Sequence, residues 1–444
     1  MLALRIRGLV FSLALLGCHG LAFSMDVVQT FKVALEQDAG IRSARAALAA
    51  SMERLPQARA QLLPSVNLSL SRNTNELVTT SPSLLGGFQQ NRDDYISFNK
   101  SLTLRQPLYN MQRLHLYQQS FSLVDEAQFV YEREVQNLSV KVGAYYLDAL
   151  LSEEQLKVAK AQSRQFSVLV RAARDNFAAG VGTRTDVDEA QARWDMSQAV
   201  EMEARQNVVF ARRQLEMLVN QPMPELQSVS GSLLLPQMLQ TLQEFLDRAF
   251  AESPELRAAK ARVEAAEKAV AVTQAAHGPT LDAVAQWSDS GSENVTRLNS
   301  RYENRVIGVQ LSLPLYQGGA VNSQIRQAVA EKVRAQEALE ALKRDLELRI
   351  FKEYRNVTEG ALRVRALEQA VKSAEVALDS TSKSKQAGVR SLLDVLNAEQ
   401  QLTSAVRDLT QARYWVLLSR LRLFSLAGED ALTNLQHIHQ ALIS

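Results

Sequence analysis

The chain has 444 residues, with 50 Lys and Arg against 48 Asp and Glu, a formal net charge of +2 and one cysteine. So balanced a charge gives no broad basic surface, and we expect no nucleic-acid partner. The 10 prolines and 18 glycines leave two stretches, near 110–179 and 319–387, rich in strong helix formers. Roughly 70 residues at about 1.5 Å each would make a helix on the order of 100 Å, too long for an ordinary compact domain.

The N-terminus has the pattern of a secretory signal. Arg5 and Arg7 precede an apolar run at 9–16, and small residues follow it. We predict a signal peptide over 1–24 with cleavage after Ser24. The alternative is lipoprotein processing at Cys18, which would make that cysteine a lipidation site. An exported chain without a later run of about 18 apolar residues is periplasmic, secreted or a membrane β-barrel.

Strict alternation of apolar and small polar residues predicts four strands. The apolar positions are Val66, Leu68, Leu70, Ile96, Phe98, Leu102 and Leu104 in one pair, and Leu281, Ala283, Ala285, Trp287, Ile307, Val309, Leu311 and Leu313 in the other. The pattern fits a soluble half-buried sheet or a barrel with lipid outside and water inside. Lys100 interrupts the apolar face and counts against the barrel. Strands of about 10 residues or more can cross a bilayer when tilted, which favours it.

Strand number bears on stoichiometry. Membrane barrels need about eight strands or more, and an open edge in lipid leaves backbone groups unsatisfied. We therefore expect several chains to share one barrel, and three chains of four strands would supply 12.

The chain is also duplicated. Residues 104–109 are echoed by 311–316, and Gly180 by Gly388. Each unit should contain two strands, a long helix and a second helix, with an eight-residue length difference in the hairpin loop, because loops absorb insertions. Heptad spacing in the helices predicts a seam that another helix must cover. A plain coiled coil is the simpler alternative, but it leaves the hairpins unexplained.

Residues 309–319, 180–188 and 388–397 resemble the TolC family of outer-membrane efflux and secretion channels, over nearly the whole chain from about 26 to 428. The resemblance implies a mainly α fold with a membrane β-barrel: a homotrimer with a 12-stranded barrel in the outer membrane and a long α-helical tunnel across the periplasm.

The expected organisation follows from this duplication and resemblance. A signal peptide at 1–24 precedes a first repeat at 25–219, which has an initial helix, a hairpin at about 65–109, a long helix at about 110–179 and a helix at about 184–219. An equatorial connector at 220–241 leads to a second repeat at 242–428, which has an initial helix, a hairpin at about 280–316, a long helix at about 319–387 and a helix at about 391–427. A C-terminal tail at 429–444 ends the chain.

The resemblance also places a channel entrance at the two helix–helix turns. Asp394 matches the family's constriction aspartate, and Asn397 stands where better-known members have a second one. Arg390 matches a gate arginine, Asp186 a linked carboxylate, and Lys385 replaces a tyrosine.

Charge differences between the two turns point to the same place. Arg184 and Asp188 complete the predicted entrance set. Helix N-capping is the alternative role for the acids of both turns. We favour it equally with the gate for Asp186 and Asp188, and favour the pore for Asp394.

No pattern typical of catalysis is present. The sequence has no nucleophile elbow, phosphate loop or metalloprotease pair, and His437 and His439 are expected to be solvated in the tail. We therefore predict a protein that is not an enzyme and has no cofactor and no metal.

The predicted function is a passive outer-membrane exit duct. By resemblance its partners are a periplasmic adaptor (membrane fusion) protein, an inner-membrane transporter of ABC type, and outer-membrane lipid. Residues 55–64 resemble type I protein secretion members, whereas Cys18 keeps multidrug efflux open. A periplasmic coiled-coil scaffold is the competing class.

Overall fold

A computed structural model describes residues 25–83, 86–224, 226, 238–293 and 300–443. The predicted signal peptide with Cys18 lies outside these residues, as does most of the predicted connector. In chain order the elements are α1 (Val27–Gln37), α2 (Ala39–Met52), α3 (Arg54–Ala60), β1 (Ser65–Pro82), β2 (Phe88–Asn110), α4 (Met111–Ala178), α5 (Arg184–Val219), α6 (Leu242–Glu252), α7 (Pro254–Gln274), β3 (Thr280–Ser292), β4 (Ser300–Ser312), α8 (Ala320–Gln386), α9 (Leu392–Leu426) and α10 (Ala431–Ile443). The fold is therefore mainly α with one sheet, as the sequence predicts.

The chain forms two compact units. Counting only the residues that the structure describes, the first contains those within Met1–Ala44, Glu132–Ser253 and Arg344–Ser444, and the second those within Arg45–Tyr131 and Pro254–Lys343.

The second unit contains an antiparallel four-stranded sheet in the order β1-β2-β3-β4. Because side chains alternate along a strand, the apolar positions of the four strands share one face. Much of that face is uncovered in the single chain: Leu68 is 64% and Ile307 89% exposed. The outer edges of β1 and β4 pair with no other described strand. The sheet thus presents apolar side chains and two open edges.

The hairpins differ in length. β1 and β2 have 18 and 23 residues, whereas β3 and β4 have 13 each. The greater length of the first hairpin lies largely in its strands, and not only in a loop as expected from the sequence.

The first unit is helical, and its core includes the end of the chain. The segment predicted as a tail at 429–444 contains α10, which packs against α1 and α9. Leu435 and Ile438 are fully buried, and the Asn434 side-chain amide donates to the Leu421 carbonyl at 2.8 Å. Apolar residues at helical spacing explain why this segment folds instead of remaining solvated.

No helix in the described ranges is long and apolar enough to cross a membrane.

Candidate functional site

The two helix–helix turns of the first unit share one backbone design. Gly180 and Gly388 have φ of 75° and 76°. The N–H of the next residue, Val181 or Val389, donates to the carbonyl five residues earlier at 3.0 or 2.9 Å. This arrangement closes the end of a helix and requires a left-handed backbone, which glycine adopts without a Cβ clash. The glycines therefore fix where α4 and α8 end.

The helices that follow begin with matching capping boxes. In α5 the Thr183 N–H donates to Asp186 Oδ2 at 3.0 Å, and the Asp186 N–H donates to Thr183 Oγ1 at 3.1 Å. In α9 the Ser391 N–H donates to Asp394 Oδ2 at 3.0 Å, and the Asp394 N–H donates to Ser391 Oγ at 3.2 Å. Two of the three predicted entrance acids, Asp186 and Asp394, therefore take part in helix caps, which is the alternative role considered for them.

Capping also favours the charged form of Asp394. Hydrogen bonds from the Ser391 backbone and hydroxyl, with a smaller contribution from Arg390, lower the pKa of Asp394 below its ordinary value. The carboxylate is consequently ionised at neutral pH, so a capping role does not prevent it from acting on ions at an entrance.

The other predicted charged residues pair locally or not at all. Arg184 Nε lies 3.2 Å from Asp188 Oδ1, and Arg390 Nη1 lies 3.7 Å from Asp394 Oδ1. Both pairs join residues four apart. Lys385 is half-buried and forms no ion pair with another described residue. The role of Arg390 and Lys385 at a gate thus remains a prediction.

Asn397 is hydrogen-bonded to Arg193 of α5, a residue that the sequence did not predict for this site. Arg193 of α5 donates through Nη2 to Asn397 Oδ1 of α9 at 2.9 Å. A signal was available, since Arg193 follows Asp186 by seven residues and lies on the same face of its helix.

Further polar links lie along the same helices. The Gln162 amide of α4 donates to Gln400 Oε1 of α9 at 2.9 Å, and Arg174 of α4 donates to Gln191 Oε1 of α5 at 2.7 Å. The three helices are therefore joined by neutral acceptors that receive amide and guanidinium donors.

An apolar cluster lies beneath these links. It is formed by Phe166, Val170 and Ala173 of α4, Val187 and Ala190 of α5, and Leu392 and Leu396 of α9. Leu392 and Leu396 occupy the places in the second turn that Arg184 and Asp188 occupy in the first. The start of α9 is thus committed to the core, whereas the equivalent positions of α5 carry an exposed ion pair.

The turns end in exposed aliphatic residues. Val181 and Val389 are 78% and 77% exposed, so both copies of the duplicated turn present an aliphatic side chain to their surroundings. Within the described ranges, no group of three or more His, Cys, Asp or Glu side chains could hold a metal ion. The site is suited to holding helices together and to contact with another protein.

Known proteins with the same organisation decide the family. The family described as outer membrane efflux protein matches residues 31–221 and 245–429, one match for each half of the duplication. The chain belongs to this family. The resemblance predicted from the duplicated motifs is confirmed, and the protein is an outer-membrane export protein. The competing interpretation as a periplasmic scaffold is set aside.

Two relatives cover nearly the whole chain. The alkaline protease secretion protein AprF of Pseudomonas aeruginosa is 34% identical over 412 residues, which cover 92% of this chain and 85% of AprF. The proteases secretion protein PrtF of Dickeya chrysanthemi is 30% identical over 431 residues, which cover 96% of this chain and 93% of PrtF.

A solved structure has a similar fold. The CmeC outer membrane channel of Campylobacter jejuni matches with a TM-score of 0.76 at 16% identity, over 94% of this chain and 89% of CmeC.

Proposed function

We propose that three copies of this chain form a passive exit duct through the outer membrane, as part of a tripartite system that secretes protein. The observation that carries the proposal is the exposed apolar face of the four-stranded sheet in a member of the outer membrane efflux protein family. In lipid that face is stabilised by acyl chains, while the opposite face, rich in Ser, Asn and Thr, meets water.

The open edges of the sheet support the trimer. Each unpaired backbone group in hydrocarbon costs several kcal/mol, so β1 of one copy is expected to pair with β4 of the next. Four strands per chain would then give a 12-stranded barrel from three chains, and the long helices would form the tunnel.

The entrance would lie at the two turns of the first unit. Three copies of Asp394 would place carboxylates around the pore, and three copies of Asn397, each bound by Arg193, would hold α5 to α9. Arg390, Lys385 and the Arg184–Asp188 pair would make the contacts between chains. Opening requires the helices to separate, and a periplasmic adaptor docking on the exposed Val181 and Val389 would drive it with energy from an ABC-type transporter.

The cargo is proposed from the two relatives. AprF and PrtF are both named for protease secretion, so we propose a secreted protein, such as a protease, as the substrate of this duct.

Deleting the gene tests the cargo. We expect an extracellular protein to disappear from the culture medium, drug susceptibility to stay unchanged, and secretion to return with the wild-type gene. Intact secretion with increased drug susceptibility would contradict protein secretion and support multidrug efflux.

A further inference from the structure

The apolar face of the sheet changes to a charged surface along the strands. Side chains two residues apart lie on the same face, in rows about 7 Å apart. The register gives successive rows of Val66, Leu104, Ala285 and Ile307; Leu68, Leu102, Trp287 and Arg305; Leu70, Lys100, Asp289 and Glu303; and Arg72, Phe98, Gly291 and Arg301. The apolar rows are nearer the helices, and the charged rows are nearer the hairpin ends.

The two acids of these four rows, Asp289 and Glu303, are each bound by an arginine of the same rows. Arg301 donates through Nε and Nη2 to the two carboxylate oxygens of Asp289 at 2.7 and 2.9 Å. Glu303 accepts from the Trp287 indole at 3.2 Å and from Arg305 at 2.8 Å. Arg301 and Arg305 alone therefore neutralise both acids.

Two further cations, Lys100 and Arg72, lie in these four rows. Lys100 Nζ lies 3.6 Å from Asp289 Oδ2, an oxygen that Arg301 already holds, and 5.4 Å from the centre of the Phe98 ring. Arg72 forms no ion pair with any described residue. Because Arg72 lies opposite Phe98 and Lys100 lies opposite Leu70, the two cations are diagonal neighbours, roughly 7–8 Å apart at the backbone.

These two cations flank a cleft of about 460 Å³. Its apolar wall is formed by Leu70, Ile96 and Phe98, and Glu293 also lines it. Gly291 allows the Phe98 ring to lie against the backbone of β3, since a Cβ there would lie 2.4 Å from the ring. With two cations, Arg72 and Lys100, and one acid, Glu293, the cleft joins an apolar wall to a net positive charge.

We infer that this cleft binds an anionic lipid, with a phosphate held between Arg72 and Lys100 and acyl chains packed along the apolar rows. The inference rests on the proposed placement of the sheet in the membrane. Guanidinium and ammonium groups are strong phosphate donors, and basic residues next to an apolar span favour anionic lipid headgroups. Free phosphate would leave Leu70, Ile96 and Phe98 uncovered, so the lipid is the occupant that uses the whole cleft. Lys100, the residue that breaks the apolar pattern, is thereby given a role.

The test is native mass spectrometry of the purified full-length protein in detergent, titrated in parallel with phosphatidylglycerol and phosphatidylcholine. We expect the wild-type protein to retain more phosphatidylglycerol. Arg72→Gln should reduce that retention about fivefold, as expected for one cation near a lipid headgroup. Glu293→Gln should increase retention because it removes the one acid that lines the cleft.

Two controls separate lipid binding from folding and from general charge. Lys100→Arg should keep the preference, whereas Lys100→Gln should weaken it. Arg92 lies on β2, the strand of Lys100, but it pairs with Glu76 and does not line the cleft. Arg92→Gln should therefore leave lipid retention unchanged.

The inference would be overturned if Arg92→Gln reduced the retention of phosphatidylglycerol as much as Arg72→Gln does. It would also be overturned if the wild-type protein showed no preference between the two lipids. Free inorganic phosphate that competes fully with phosphatidylglycerol would also overturn it, because the apolar wall would then have no part in binding. Single-channel currents recorded from the same samples test the proposed duct separately.

Discussion

Arg193 binds Asn397 across the two halves of the duplicated chain, with its Nη2 donating to the amide oxygen at 2.9 Å. The link joins α5 of the first repeat to α9 of the second, above the apolar cluster that contains Leu396. Asn397 was predicted as an entrance residue from its place near Asp394. The hydrogen bond from Arg193 gives Asn397 a second role: it holds together α5 and α9, which must separate if the entrance opens.

Replacing Arg193 should loosen this junction. We expect Arg193→Gln to increase single-channel conductance in planar bilayers, because Asn397 loses its charged donor. Arg205→Gln is the matched control, since Arg205 pairs with Glu201 on its own helix at 2.7 Å. Equal conductance in the wild-type protein and Arg193→Gln would show that the Arg193–Asn397 hydrogen bond has no part in gating.

Asp394 can be tested for a pore role apart from capping. Asp394→Ala removes both the carboxylate and the cap, whereas Ser391→Ala weakens the cap and keeps the carboxylate. We expect the preference for cations to fall in Asp394→Ala and to persist in Ser391→Ala, as measured by reversal potentials in a salt gradient. The same change in both variants would reduce Asp394 to a capping residue.

The pH dependence of that selectivity has a defined direction. Because the pKa of Asp394 is lowered from 3.8, its carboxylate stays charged from neutral pH down to about 4, and the selectivity should be constant over that range. Selectivity should be lost only below it, as the pH falls through the lowered pKa. Loss of cation preference between pH 6 and 5 would assign the selectivity to another group.

Glu429 should make the stability of the first unit depend on pH. Burial raises the pKa of Glu429. The positive charges of His437, Arg248 and Arg420 partly lower it again, and the negative charge of Asp430 raises it further. A raised folded-state pKa contributes stability that is complete below the ordinary value of 4.5 and is lost as the pH rises through the folded value.

We therefore expect Glu429→Gln to raise the unfolding temperature at pH 7 and to have little effect at pH 4, as followed by circular dichroism. Glu375→Gln, at an exposed position of α8, is the control. A lower unfolding temperature of Glu429→Gln at pH 7 would mean that attraction to the surrounding cations outweighs burial.

Gly143 marks a close approach of buried helices. A Cβ at this position would lie 2.3 Å from Leu421 Cδ2, and Leu421 is fully buried. Gly143→Ala should destabilise the protein by about 1–3 kcal/mol through overpacking, and Leu421→Val in the same chain should recover part of the loss. Gly308→Ala, with no atom within 4 Å of the added Cβ, is the control. Unfolding in denaturant measures the effect, and an unchanged midpoint for Gly143→Ala would contradict the packing.

The sequence was most informative where one face of an element is apolar. The alternation from Val66 to Leu70 predicts a strand, but β1 continues to Pro82, where both faces are largely polar and the pattern fades. The sequence also predicts the two turns, because Gly180 and Gly388 mark positions where the backbone has a positive φ. Leu435, Ile438 and Leu442 have the spacing of one helix face, which is typical of a helix such as α10. Polar residues surround them in the sequence, and the prediction of a C-terminal tail did not take this spacing into account.

Partners distant in the chain could not be predicted in the same way. Lys100 approaches Asp289 because β2 pairs with β3, and no local pattern encodes that register. The resemblance gave the position of Asn397 but not its bond to Arg193, which depends on how α5 packs on α9.

The most direct test of the proposed duct is planar-bilayer recording on the purified full-length protein, with its mass in detergent measured by light scattering. We expect an assembly of three chains that inserts from detergent and gives stepwise currents, larger in Arg193→Gln than in the wild-type protein. A single chain that remains in solution without detergent and gives no current would contradict it.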